Sequence, residues 1–478
     1  MKDIENKDGL LAMIRDGKIM SLRQQLILTA QLSMPAIMAQ LSSIVMQYID
    51  ASMVGHLGAN EAAAIGLVST TLWMFGGLCN AFTIGFSVQV AHLIGAKRSG
   101  DARNVLRQSI VASLLAGLFI ATLGSSISPF LPGWLGGNSE ICAESSTYFM
   151  IFSMCIPFVI FNMLASGMLR CSGNMRVPSM LNILMAILDV IFNFLLIFPS
   201  RDYTLFNKVV TIPGAGLGVT GAALGTGIAE CIVAMLMVYY LVLRSGDLKL
   251  TQDRGSFKPT RKIVFKAIRI SFPMALQQFV MSTAHIMTTM IVAPLGNVSI
   301  AANSLAITAE SLCYMPGYGI ADAATTLVGQ SLGAGRRYLC RQFARISVIL
   351  GMTVMGVMGA FMFICAPYMM ELMTGVESVI DLGTEILRIE AFAEPLFAAA
   401  IVTYGVFVGA GDTVAPCWMN VASVWCVRLT LAWLFVNVFA MGLVGMWVAM
   451  AVELCARGSL FLLRLWRGNW MKQKIISQ

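Results

Sequence analysis

Apolar residues run through this chain in long blocks, separated by short stretches that collect most of its charge. Twelve blocks qualify as membrane spans, at approximately 26–54, 62–90, 105–127, 147–169, 179–199, 217–243, 264–292, 301–328, 343–366, 385–409, 417–440 and 442–465. A helix needs roughly 20 apolar residues to cross a bilayer core of about 30 Å. Helices are the reading for runs this long, because backbone groups in hydrocarbon must find their partners inside the segment. The expected fold is an all-α integral membrane protein of twelve transmembrane helices. The polar stretch Arg244–Lys262 divides them into two sets of six. The expected units are a lead-in 1–25, an N-half bundle 26–243, a linker 244–263, a C-half bundle 264–465 and a tail 466–478.

The two halves also match each other at a fixed offset of 238 residues. Ser33 and Pro35 fall on Ser271 and Pro273, Leu57-Gly58 on Leu295-Gly296, and Gly95-Ala96 on Gly333-Ala334. Arg98, Arg103 and Arg107 fall on Arg336, Arg341 and Arg345, and Pro157 falls on Pro395. Over residues 32–110, 17 of 79 ungapped positions are identical, enough to fix the register between the halves. An even number of helices per half gives both halves the same orientation, related by an axis along the membrane normal. Paired bundles of this kind build many secondary transporters, with the substrate site at their interface. The four matched prolines Pro35, Pro273, Pro157 and Pro395 are candidate hinges, since proline kinks a helix.

Composition agrees with this pattern: 58% of residues are hydrophobic and only 12% charged. The formal net charge of +8 would suit nucleic acid, but its placement argues otherwise. Of 32 Lys and Arg residues, 28 fall on one side of the twelve-span reading; Arg201, Lys208 and Arg388 fall on the other, and Arg428 lies within a span. That bias places both termini in the cytoplasm of a cell that carries the protein in its plasma (inner) membrane. The basic clusters set topology first and contact membrane lipids second. The lead-in is too polar for a secretory signal and reads as a partly helical cytoplasmic segment. The 11 cysteines are scattered without paired spacing, as small buried hydrophobes are.

Charged side chains inside spans are costly, so each is a candidate functional group. Asp50 closes the first span, and Asp189 lies mid-span with Asn193 one turn on, on the same helix face. Asp50, Asp189 and Asn193 could together hold Na+ or carry a proton, with Thr226 adding a hydroxyl; a purely structural hydrogen-bond pair is the plainer reading of Asp189 and Asn193. Glu310, Asp322, Glu394 and Arg428 are candidates for a substrate cavity or for coupling in the second half, and Arg428 needs an acidic partner. Glu453 has Arg457 at i+4 and reads as a neutralised pair. None of the embedded acids is matched by an acid at the repeat offset. The scaffold is duplicated and its charges are not, which suggests divided labour between the halves. No nucleotide-binding, metal-protease or nucleophile motif is present, so no catalytic residue and no cofactor beyond a coupling ion is expected.

Several of these stretches resemble one known family. Gln47 to Gly58 around Asp50, Pro294-Leu295-Gly296 with Ala301-Ala302-Asn303, Val328 to Gly335, Gly409 to Thr413, Asn193 to Phe198 and Gly221 to Thr226 are together similar to the multidrug and toxic compound extrusion family. The resemblance covers about residues 20–465. It implies a V-shaped pair of bundles, monomeric, that exports organic cations or other amphipathic small molecules in exchange for Na+ or H+ by alternating access. Asp50 matches the family's coupling aspartate, and Thr226 its sixth-helix threonine. The fifth-helix pair usually reads Asn-x-x-x-Asp and here reads Asp189-x-x-x-Asn193, so the charge has moved by one turn. Met281 and Phe397 replace two acids of one branch's second-half cation site, with Glu394 one turn before Phe397. The pattern is closer to the DNA-damage-inducible branch. The alternative, a lipid-linked precursor flippase of related fold, would want several cavity Arg or Lys for pyrophosphate; Arg428 alone is embedded. A channel or receptor would want a repeated pore motif or a sensor domain, and neither is present.

Overall fold

The computed structural model describes residues 7–205 and 208–472; the extremities of the lead-in and tail, 1–6 and 473–478, lie outside the described residues. A short helix α1 (Lys7–Arg15) precedes six long ones: α2 (Leu22–Gly55), α3 (Ala59–Gly95), α4 (Ser99–Ile127), α5 (Ser139–Cys171), α6 (Arg176–Ile197) and α7 (Gly218–Tyr239). Strands β1 (Pro199–Leu205) and β2 (Lys208–Ala215) form an antiparallel hairpin between α6 and α7. The second half comprises α8 (Arg261–Val292), α9 (Asn297–Gly333), α10 (Arg337–Met373), α11 (Glu377–Ala391), α12 (Glu394–Gly409), α13 (Val414–Val438) and α14 (Gly442–Arg467).

Ten of these helices are long and apolar enough to cross a membrane singly, and α11 with α12 makes a bent eleventh crossing. Helix α9, at 37 residues, is long enough as well, its apolar density lowered by Asn303, Glu310 and Asp322. The all-α membrane fold of two repeated bundles is thus present. Local chemistry explains the breaks. Ser21 starts α2 with a capping box: its hydroxyl accepts from the Gln24 N–H at 3.3 Å and its own N–H donates to the Gln24 side chain at 3.0 Å. The expected span 385–409 is two helices bent by 58°, because Pro395 has no N–H to bond Ala391 and its ring crowds that carbonyl. Two π-helical stretches, Ser423–Arg428 and Leu434–Val438, interrupt α13.

Each half has its own core, around Leu164, Met168 and Val233 in the first and Met362, Ile386 and Trp447 in the second. The leading helix of each half, however, packs on its neighbour's side: α2 lies against α9, and α8 lies against α3. Small residues permit these crossings. A Cβ on Gly319 would sit 2.6 Å from the Ile37 backbone, and one on Gly85 would sit 2.4 Å from the Ala267 carbonyl.

At the end that carries the basic loops, the halves are sealed, and the seal obeys the repeat. Gly95 and Gly333 are equivalent positions. A Cβ on Gly95 would meet the Gln330 carbonyl at 2.1 Å, and one on Gly333 the His92 carbonyl at 2.0 Å. His92 and Gln330 are equivalent too. The His92 Nε2–H donates to the Gly409 carbonyl at 2.8 Å, and the Gln330 amide donates to the Cys171 carbonyl at 2.9 Å. Gly409 and Cys171 are themselves 238 residues apart. One motif, used twice, closes this end. Helix α1 covers it: Leu10, Leu11 and Ile14 are buried with Met175 of the first half and Leu327, Leu339 and Phe343 of the second.

Candidate functional site

The candidate cation pocket forms where the outer part of α2, past its contact with α9, returns to its own half and packs on α6. Asn193 joins the two aspartates. Its side-chain amide donates to Asp50 at 3.0 Å and to Asp189 at 3.2 Å. Asp189 and Asn193 are each only 1% exposed, and Asp189 Oδ1 and Asn193 Oδ1 have no hydrogen-bond partner among the described residues. Buried oxygens left in that state are costly unless something binds them. Thr226 of α7 lies beside Asp189, and Tyr148 of α5 is close to both aspartates. Helix α7 can approach only because residue 225 is glycine: a Cβ there would fall 2.1 Å from Asn193 Oδ1. The donor set, two carboxylates, an amide oxygen and a hydroxyl, suits a hard monovalent cation or a shared proton. Deeper in the half, the Asn162 amide donates to Glu230 at 2.7 Å.

The second half gathers buried acids from four helices. Glu310 (α9), Glu390 (α11) and Glu394 (α12) are 5%, 0% and 0% exposed, and all four carboxylate oxygens of the last two lack hydrogen-bond partners among the described residues. Beside them Glu453 of α14 is well neutralised. It accepts from Arg428 of α13 at 2.7 Å and from the Ser423 hydroxyl at 2.6 Å, and Arg457 lies 3.2 Å away. Both guanidiniums are thus spent on one carboxylate, and three more acids stay buried without one. A bound proton or cation would remove that imbalance.

The MatE family profile matches residues 35–195 and 273–434, one stretch in each half. The chain belongs to the MatE family. It is 26% identical over 462 residues to the probable multidrug resistance protein NorM of Thermotoga maritima, covering 96% of each chain. It is 22% identical over 454 residues to the multidrug resistance protein MdtK of Yersinia pestis, covering 93% of this chain and 95% of that one. Among solved structures, a MOP superfamily transporter from Pyrococcus furiosus superposes with a TM-score of 0.86 at 21% identity, over 97% of this chain and 99% of that one. That transporter is described as having a binding pocket of reverse polarity that suggests a different function, and at 21% identity the likeness shows the fold alone.

Within this MatE chain, the residues singled out from sequence separate into three places. Asp50, Asp189, Asn193 and Thr226 come together. Glu310 and Glu394 meet in the second-half cluster. Asp322 belongs to neither, contrary to its reading as a cavity or coupling acid: it pairs with Arg170 across the two halves at the sealed end. Helix α9 runs 11 residues beyond it, which puts Asp322 at the level of the last turn of α5. Arg428 is likewise not free to meet a substrate, because Glu453 takes its guanidinium. Pro35 and Pro273 lie within continuous helices, as does Pro157, whereas Pro395 sits at a true break. Sequence reasoning missed Glu390, Tyr148 and Arg170. Glu390 stands four residues before Glu394, a spacing that would have flagged a shared face; Arg170 had been assigned to the basic loops.

Proposed function

We propose that this MatE protein is a secondary antiporter that exports cationic or amphipathic organic molecules in exchange for Na+ or H+. The reading rests on one observation above the others: Asp50, Asn193 and Asp189 tie α2 to α6 through a hydrogen-bonded chain in which the buried Asp189 Oδ1 and Asn193 Oδ1 are unpartnered among the described residues. Helix α2 grips the second half near Ala36 and Ile37 and the first half at Asp50, with Pro35 beside the first grip. Loading or emptying the Asp50–Asp189 pair changes the charge at one grip. An ion drives alternation only if it binds the two arrangements differently, and a site built across a moving helix meets that condition. The similarity to multidrug resistance proteins supports the substrate class. The glutamates of the second half are a candidate second coupling or substrate group. The positive-inside bias supports cytoplasmic termini, contact with membrane lipids and no nucleic-acid partner; a plasma-membrane monomer is what the family resemblance implies. Met281 and Phe397, in place of the two second-half acids, support the DNA-damage-inducible branch, while the order Asp189-x-x-x-Asn193 departs from the family's usual pair.

The test is efflux of a fluorescent organic cation from proteoliposomes, with sodium and proton gradients imposed separately. One gradient should drive accumulation against the cation's own gradient, and Asp50→Asn should abolish it. Movement of the dye that is blind to both gradients would refute exchange. Flipping of a lipid-linked precursor gains nothing from the structure, since Arg428 and Arg457 both serve Glu453.

A further inference from the structure

On the outer face of the second half, at the end opposite the basic loops, a groove of about 640 Å³ opens between α10 and α11. Its chemistry is graded along the membrane normal. Helix α10 ends at Met373, so Glu371 lies at its outermost turn; Pro367 lines the groove one turn deeper, and the exposed Ile364 and Phe361, beyond the groove lining, continue an apolar surface about 10–15 Å below Glu371 at 1.5 Å per residue. Helix α11 returns antiparallel beside it with the same order: exposed Asp381 and Glu385 outermost, then Arg388, then Phe392 at 75% exposure. Arg388 is held between the two zones. Its Nε–H donates to the Phe363 carbonyl at 3.3 Å, and its guanidinium lies 5.5 Å over the Phe363 ring.

None of these charges, Glu371, Asp381, Glu385 and Arg388, is paired with an opposite charge among the described residues. Asp381 and Glu385 repel at i,i+4 on one helix face. Thr384 lines the groove at 8% exposure, with its hydroxyl buried and unpartnered. Apolar wall, then a lone guanidinium, then three carboxylates is the complement of one kind of molecule. A phospholipid places its acyl chains in hydrocarbon and its phosphate at the boundary, and one with a primary amine carries an ammonium further out. A guanidinium recognises the phosphate, and carboxylates accept hydrogen bonds from –NH3+ that a quaternary ammonium cannot donate.

We propose that this groove binds a zwitterionic, primary-amine phospholipid from the leaflet opposite the basic loops, its phosphate at Arg388 and its ammonium at Glu371, Asp381 and Glu385. The site is separate from both buried acid clusters and does not depend on the transport reading.

Native mass spectrometry of the full-length protein in mild detergent tests it, with equimolar dioleoyl phosphatidylethanolamine, phosphatidylcholine and phosphatidylglycerol. Phosphatidylethanolamine should be retained about tenfold over both others, the factor expected for a charge-assisted contact. Arg388→Gln should lose all three lipids alike. Asp381→Asn with Glu385→Gln should erase the preference over phosphatidylcholine while keeping phosphate-dependent retention. All four charged positions are exposed, so these variants should keep the parent's unfolding temperature without added lipid. Equal retention of the three lipids, variants that bind as the parent does, or displacement of the lipid by ethidium at micromolar concentration would overturn the proposal. The last result would make the groove a cation site.

Discussion

Asp50 is half-buried on one helix, and what it touches on another decides its meaning. Its contact with Asn193, and through Asn193 with Asp189, joins two carboxylates that cannot both stay ionised cheaply in a dry site. Asp50→Asn should therefore leave expression and fold intact while abolishing gradient-driven efflux in everted vesicles; wild-type efflux would remove Asp50 from the mechanism. Gly225 is the silent member of the pocket. Gly225→Ala drives a Cβ toward Asn193 Oδ1 and should cost about 1–3 kcal/mol, as overpacking does, read as a lowered unfolding temperature in detergent. Much of this pocket was legible in sequence, because Asp189 and Asn193 share a face and Asp50 ends a span. Tyr148 and Arg170 were not, since their partners come from helices far away in the chain and no local spacing announces them. Asp322 misled for the same reason: an acid within a span reads as functional until its cross-half partner is known.

At the scale of elements, two polar segments act as fasteners on the basic end. Helix α1 reaches both halves: Arg15 pairs with Asp247 at 3.0 Å, Arg336 donates to the Met13 carbonyl at 3.0 Å, and Leu11 packs where a Cβ on Gly173 would be 2.5 Å away. Leu11→Asp should free α1 and raise amide exchange across 7–15 without raising it in the first turns of α2. The linker is tied down by Asp253, which receives Arg103 at 2.8 Å and Arg107 as well. Hydrogen bonds from Arg107 and Arg103 hold its carboxyl below the usual aspartate range. A depressed carboxylate contributes its anchorage fully above the unfolded value of about 3.9 and loses it as pH falls through the folded value. Proteolysis of 244–263 should accordingly rise only at acid pH, and Asp253→Asn should remove that pH dependence. The positions of the long helices followed from apolar runs alone. The bend between α11 and α12 was signalled by Pro395, whereas the hairpin after α6 and the π-helical stretches of α13 have no period for a hydropathy pattern to reveal.

Across the whole molecule, duplication explains both the architecture and the way it closes. The 238-residue offset is visible in sequence, yet only the structure shows that His92 with Gly409 and Gln330 with Cys171 are the same contact made twice. Each bond is worth about 1 kcal/mol by ordinary measure, one part of a seal that also includes the glycine contacts, the cover of α1 and the Arg170–Asp322 pair. His92→Ala and Gln330→Ala should loosen the basic end to similar extents, seen as faster amide exchange in both 92–97 and 330–336. The measurement that bears most directly on the central claim is the distance between spin labels at Asn60 and Asn297, exposed positions at the other end of each half. In the wild type that distance should shift when pH or sodium is changed, and Asp50→Asn should hold it at one value under every condition. A wild-type distance indifferent to both ions, or a variant that moves as the wild type does, would contradict the account.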